Sequence, residues 1–155
     1  MTRAPSASLS PEKRLSAFIA RYSPEVAAVA RAALKKMRVR LPGAIELVYD
    51  NYNALAVGFG PSERASEAIF SLAVFPKWVT LCFLQGAKVP DPDNLLNGDG
   101  NQVRHIRLVD PELLLSPAIR VLMLAALDQA NVPISPYSRH RVIIKSISAK
   151  QRPRR

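Results

Sequence analysis

Asn53-Ala-Leu-Ala-Val-Gly-Phe-Gly60, Ala68-Ile-Phe-Ser-Leu-Ala-Val-Phe75 and Trp78-Val-Thr-Leu-Cys-Phe-Leu84 are three successive uncharged runs, and their reading decides the fold. In the first, Leu55, Val57 and Phe59 alternate with Ala54, Ala56 and Gly58, the period of two that a pleated strand imposes. Gly60-Pro-Ser-Glu-Arg64 between the first two runs is loop chemistry, and Pro76-Lys77 leaves room only for a tight reversal. The expectation is an antiparallel meander. Both of its faces are apolar or small: Trp78, Cys82 and Leu84 alternate with Val79, Leu81 and Phe83. A sheet wetted on one side shows polar residues there, so a second covering layer is expected, either the segment after Pro136 or another subunit.

Helix signals precede the meander. Ser10-Pro11-Glu12 offers an N-cap, a proline at the first helical position and an acid at the positive end of the dipole, ahead of the stripe Leu15, Phe18, Ile19, Tyr22. Ser23-Pro24-Glu25 repeats the signal and opens a second helix with Val26, Val29, Ala30, Ala33, Leu34 and Met37 on one face. Its other face carries Arg31, Lys35, Lys36, Arg38 and Arg40, and Leu41-Pro42-Gly43 ends it. Ala44 to Asp50 fits a strand by its alternating Ile45, Leu47, Tyr49 and a helix by Glu46 and Asp50 at i,i+4; the helix is preferred.

After the meander, residues 86–100 are rich in Pro, Asp, Asn and Gly and read as a surface loop, with Gly98 and Gly100 in left-handed turns. Asn101 to Val109 returns to strand. Ser116-Pro117 caps a last helix with the stripe Ile119, Leu122, Met123, Ala126, Leu127, Ala130, and Arg141 to Ile147 is a candidate final strand. This order gives an α+β fold: an antiparallel sheet of four to five strands with helices packed mainly on one face. Residues 10–148 form one domain, residues 1–9 a poorly ordered start, and residues 149–155 a basic tail removable without loss of stability.

The formal charge of +10 is uneven: +7 over residues 1–42, 4 negative over residues 43–138, and +7 over residues 139–155. Such a balance invites an anionic partner. No apolar run approaches the ~20 residues of a membrane span, and Met1 to Ser8 lacks an apolar secretion signal. With the single Cys82 unable to form an internal disulfide, a soluble cytoplasmic protein is expected.

Leu95-Leu-Asn-Gly-Asp-Gly-Asn-Gln-Val-Arg-His-Ile-Arg-Leu108, with the Asp-Pro before it and the apolar strand pair before that, resembles the YdhG-like family, a domain of unknown function. The likeness spans roughly residues 34–130. It implies a small α+β fold similar to secretion-chaperone-like domains. Some relatives are described as frataxin-like iron chaperones, a role that needs clustered carboxylates; the candidates are Glu46 with Asp50 and Asp91 with Asp93.

No nucleophile triad, CxxC, HExxH or P-loop occurs, so no catalytic residue, metal site or cofactor is assigned. The loop from Asp91 also fails the calcium-loop template. Arg104, His105 and Arg107 follow a Gly-rich turn, a grouping that suits a phosphate or carboxylate. The favoured reading is a non-catalytic module binding a small anionic ligand or a protein partner through Trp78, Gly98, Gly100, Arg104, His105 and Arg107, compatible with a homodimer. The alternative is nucleic-acid binding through Arg139, Arg141, Lys145, Lys150, Arg152, Arg154 and Arg155. A frataxin-like protein or an enzyme with a dispersed site comes last.

Overall fold

The computed structural model describes residues 9–155, so the expectation for residues 1–8 lies outside the described residues. Two helices come first, α1 (Pro11–Ala20) and α2 (Pro24–Arg40). Ser10 Oγ accepts from the Lys13 amide and Ser23 Oγ from the Val26 amide, so both serine caps form where the Ser-Pro-Glu triplets place them. Strands β1 (Ile45–Asp50), β2 (Leu55–Gly60), β3 (Phe70–Val74), β4 (Val79–Phe83) and β5 (Arg104–Arg107) follow, then α3 (Pro117–Gln129) and β6 (Arg141–Ile147). The sheet has six strands in the order β5-β4-β3-β2-β1-β6.

The meander forms as expected: β2, β3 and β4 pair antiparallel with their neighbours, and β5 adds to β4. Leu55, Val57 and Phe59 lie in register with Val74, Leu72 and Phe70, which in turn oppose Val79, Leu81 and Phe83. All nine are buried in one core with the stripes of α1, α2 and α3. Burying each such side chain is worth roughly 1.5–3 kcal/mol, so this face holds the fold together. Phe70 and Phe83 meet edge to face at 5.3 Å, within the favoured range for an aromatic pair.

Three expectations change. Ala44 to Asp50 is not helical: Ile45–Asp50 is strand β1, and the strand count rises to six. Its even residues Glu46, Val48 and Asp50 oppose Phe59, Val57 and Leu55 and therefore face the helices, while Ile45, Leu47 and Tyr49 face away. The i,i+4 acids are thus two buried carboxylates on one strand face. The segment after Pro136 does not cover the second sheet face either. It enters the sheet edgewise as β6, parallel to β1, with a bulge that leaves Lys145 outside the register.

The basic tail, finally, packs into the fold. Arg154 is only 3 % exposed and its Nη2 meets Asp50 Oδ1 at 2.9 Å, while Asp50 itself is 1 % exposed. Gln151 Nε2 donates to the Asp50 carbonyl, Arg152 N to the Tyr52 carbonyl, and Arg155 Nε to the Arg21 carbonyl. A buried carboxylate is costly without a partner, and the tail supplies it. At the other end of β1, Glu46 is fully buried and bound bidentately by Arg38 (Nε–Oε2 and Nη2–Oε1, both 2.8 Å), with His140 Nε2 at 2.8 Å from Oε2. Hydrogen bonding to the Glu46 carboxylate, outweighing burial, raises the Arg38 pKa and keeps the guanidinium charged.

Candidate functional site

The side of the sheet away from the helices is only half covered. Over β1 and β2 the loop 61–69 folds across it: a Cβ on Gly60 would come within 2.8 Å of Ala68 Cα, so only glycine admits this approach. Glu63 of that loop pairs with Arg141 at 3.1 Å and its carbonyl accepts from Lys145. Over β3, β4 and β5 the described residues leave a depression. There the strand register places Ala73 opposite Thr80 and Thr80 opposite Arg107, and one row along Ser71 opposite Cys82 and Cys82 opposite His105. The middle of the sheet carries short side chains and its edge strand the longer, nitrogen-bearing ones of His105 and Arg107.

The result is a depression of about 520 Å³ lined by Ala73, Phe75, Trp78, Thr80, Cys82, Asn97, Val103, His105 and Arg107. One wall is aromatic. Phe75 and Trp78 flank the Pro76-Lys77 reversal, closed by the Phe75 amide donating to the Trp78 carbonyl, and their rings stack at 5.3 Å. Arg107, on the strand beyond, sets its guanidinium 4.3 Å from the centre of the Trp78 ring. With Phe75 on β3's side and Arg107 on β5's, the Trp78 ring stands between them and is 36 % exposed. A cation over tryptophan is held by the ring quadrupole, which fixes where this guanidinium sits.

The electrostatics of the depression are one-sided. No carboxylate lines it, and among the described residues neither Arg107 nor His105 has an ion-pair partner. Residues 105 and 107 point to the same side of β5, about 7 Å apart along the strand. Any uncharged imidazole tautomer still keeps one N–H donor, and a guanidinium has five. On the floor, burial pushes the Cys82 thiol pKa up, with a smaller opposing contribution from the hydrogen bond with Ser71, so burial favours the neutral thiol there.

The residues expected at a binding site are therefore divided. Trp78, His105 and Arg107 converge. Arg104 does not: it pairs in register with Phe83, on the helix-facing side, and its Nη1 donates to the carbonyls of Gly100 (2.6 Å) and Val103 (3.0 Å), tying the loop down. Gly98 does take a left-handed conformation (φ 116°), with the space of a Cβ 3.6 Å from His105 Nδ1, so it lies directly against the site. Gly100 is not left-handed; Asn94 is (φ 53°), and a Cβ on Gly100 would meet nothing within 4 Å. Phe75, Thr80, Asn97 and Val103 join the lining without having been singled out, although the alternation of β4 around Cys82 already places Thr80 on that face.

The basic groups of the alternative reading are divided between the two ends of β1. Arg141 sits beside Ile45 and Ile147 beside Asp50, so the start of β6 and the tail lie at opposite ends of β1, about 17 Å apart. Arg141, Lys145 and Arg154 are engaged with Glu63 and Asp50, and Arg152 lies over the Tyr52 ring at 5.7 Å. Arg139 and Lys150 make no ion pair among the described residues. On α2, Lys36 pairs with Glu112 and Arg38 with Glu46 and Glu12.

Of the carboxylates considered for iron, Glu46, Asp50 and Asp91 are occupied by other partners. Glu46 and Asp50 stand about 13 Å apart along β1, each neutralised by cations. Asp91 accepts from the amides of Leu95 and Leu96 and shapes its own loop. Among the described residues no group of three His, Cys, Asp or Glu gathers as a metal site, and no helix is long and apolar enough to cross a membrane. No family model, curated protein or solved structure matches the chain.

Proposed function

We propose that the protein is a non-catalytic binding module that holds a small anionic ligand on the uncovered face of its sheet, with Arg107 and His105 as the anion-binding pair. The observation that carries this reading is the presence of two donor side chains without carboxylate partners over a depression that contains no acid. The cations that pair with Glu46 and Asp50 lie elsewhere in the fold, and Arg107 is held instead against the Trp78 ring. Membership of the YdhG-like family belongs to the same proposal. The stretch that carries the resemblance supplies Asn97, Val103, His105 and Arg107, so what tags the family also walls the site. A cytoplasmic location, taken with it, rests on the unpaired Cys82.

The test is thermal stabilisation by a panel of anions: acetate, benzoate, phosphate and citrate. A ligand at about one hundred times its Kd stabilises by about 2.7 kcal/mol. At least one anion should raise the melting temperature of the parent and not of the double variant Arg107→Gln, His105→Gln. If no anion does so, or the variant responds equally, the reading is wrong.

A further inference from the structure

We propose that the ligand of this site is a small aromatic carboxylate, its ring lying on the floor against the rim of Trp78 and its acid group bridging Arg107 and His105. This rests on the anion-binding reading above and adds the shape and chemistry of the body that the anion belongs to. Four observations converge on it.

The first is the floor. Ala73, Thr80 and Cys82 project no more than three heavy atoms each from a pleated surface, so they offer a shallow, nearly level bed rather than a deep hole. A flat body makes full contact with such a bed and a branched or globular one does not. Cys82 adds a polarizable sulfur, which favours an aromatic ring at about 5 Å over an aliphatic group of the same size.

The second is the way Trp78 is presented. One face of its ring is stacked on Phe75 and the guanidinium of Arg107 lies over the ring, so what it turns toward the depression is its rim. The rim of an aromatic ring is the positive part of its quadrupole and attracts the face of another ring in an edge-to-face contact. An aliphatic ligand would gain area there but not this directional attraction.

The third is the planar fork of Arg107. A guanidinium that rests on an aromatic face keeps its N–H donors for in-plane partners, and carboxylate is the anion whose two oxygens match that fork. His105, two residues back on the same side of β5, supplies a further donor, and Gly98 lies beside its Nδ1 edge without a side chain of its own. The fourth is size: a volume of about 520 Å³ falls within the range of small-molecule sites.

The experiment uses the full chain and its single tryptophan, whose indole N–H gives one resonance in a nitrogen-correlated spectrum. Calorimetric titration supplies affinities for 2-naphthoate, cyclohexanecarboxylate, adenosine monophosphate and naphthalene-2-sulfonamide, and the spectrum locates the binding. We expect 2-naphthoate to shift the indole resonance saturably and to bind about two- to ten-fold more tightly than cyclohexanecarboxylate, the range an aromatic contact is worth. The variant Arg107→Gln should weaken it by about ten- to a hundred-fold, the range for losing a charged hydrogen-bonding partner, and Arg107→Lys by less. Equal binding of the two carboxylates would overturn the aromatic assignment while leaving the anion site standing. Adenosine monophosphate binding more tightly than 2-naphthoate would overturn the carboxylate in favour of a phosphate-bearing ring, again with the anion site intact. Tighter binding of the neutral sulfonamide, or affinity for 2-naphthoate indifferent to both Arg107 variants in protein that melts like the parent, would overturn this proposal and the anion site together.

Discussion

Removing the tail residues 149–155, or replacing Arg154 by Met, should destabilise the fold far beyond what a surface basic segment contributes. Arg154 and Asp50 are 3 % and 1 % exposed and meet at 2.9 Å, so the variant leaves a carboxylate in the interior with one partner fewer. Breaking a buried pair from one side costs about 3–5 kcal/mol. Arg21 remains, at 3.3 Å and half exposed, which places the expected cost near the lower end, about 3 kcal/mol. For a chain of this length that is a fall in melting temperature of roughly 6–12 °C. The tail deletion should cost at least as much, because Gln151 and Arg152 also lose hydrogen bonds to the Asp50 and Tyr52 carbonyls. The assay is paired thermal and urea unfolding of the parent, Arg154→Met, Asp50→Asn and the double variant. The double variant should regain about 1–4 kcal/mol relative to the sum of the singles, since neither charge is then left alone in the interior. A truncated protein melting within about 2 °C of the parent would refute the burial of this pair and with it the account of the tail.

Leu122→Ala should cost about 2–5 kcal/mol by urea unfolding, because Leu122 is buried in the core cluster, whereas Leu127, only half-buried, should cost less; equal small losses would mean that α3 does not pack as described. Tyr22 Oη donates to the Val74 carbonyl and accepts from the Leu55 amide, so Tyr22→Phe should cost about 1–3 kcal/mol at neutral pH, and a neutral substitution by chevron or urea midpoint would contradict the bond pair. Burial, opposed in part by Arg154, raises the Tyr22 pKa above its ordinary 10.0; the folded state therefore holds the proton longer than the unfolded chain, and the stability this contributes is present at neutral pH and lost as pH climbs past 10. Urea midpoints measured from pH 9 to 11 should fall more steeply in the parent than in Tyr22→Phe, and parallel curves would count against the assignment. Burial likewise raises the Cys82 thiol, so alkylation by iodoacetamide at pH 7.5 should be slower in the native protein than in denaturant and accelerate only in the alkaline range; equal rates would show an open thiolate instead.

The meander was legible because Leu55, Val57 and Phe59 alternate with small residues, and a period of two survives whatever lies above the strand. Strand β1 was not, because both its faces are buried and the face toward the helices carries Glu46 and Asp50. Local pattern has no way to show that Asp50 is interior when its buried partner Arg154 lies about a hundred residues away in the chain. The same long separation hid the place of β6: Val142 and Ile144 announce a strand, but nothing near them says that it lies parallel to β1 rather than over the sheet. At the candidate site, alternation alone unites His105 with Arg107 and excludes Arg104. The aromatic wall needed the strand order β3-β4-β5, which brings Phe75, Trp78 and Arg107 side by side and which composition does not specify.

The pairing of β1 with β6 also sets an order of events. Strands β1 to β4 follow one another through short connections, whereas β6 reaches β1 only after α3 and the strands between have been made. Long loop closures come late, once local contacts have formed. Until β6 arrives, β1 is an open edge with two acids on its inner side, of which Glu46 has Arg38 and Asp50 has only Arg21. Such an edge is a template for pairing with another chain, and the acids raise the free energy of burying it wrongly. In pulse-labelled hydrogen exchange, the amides of β6 should be the last of the sheet to gain protection.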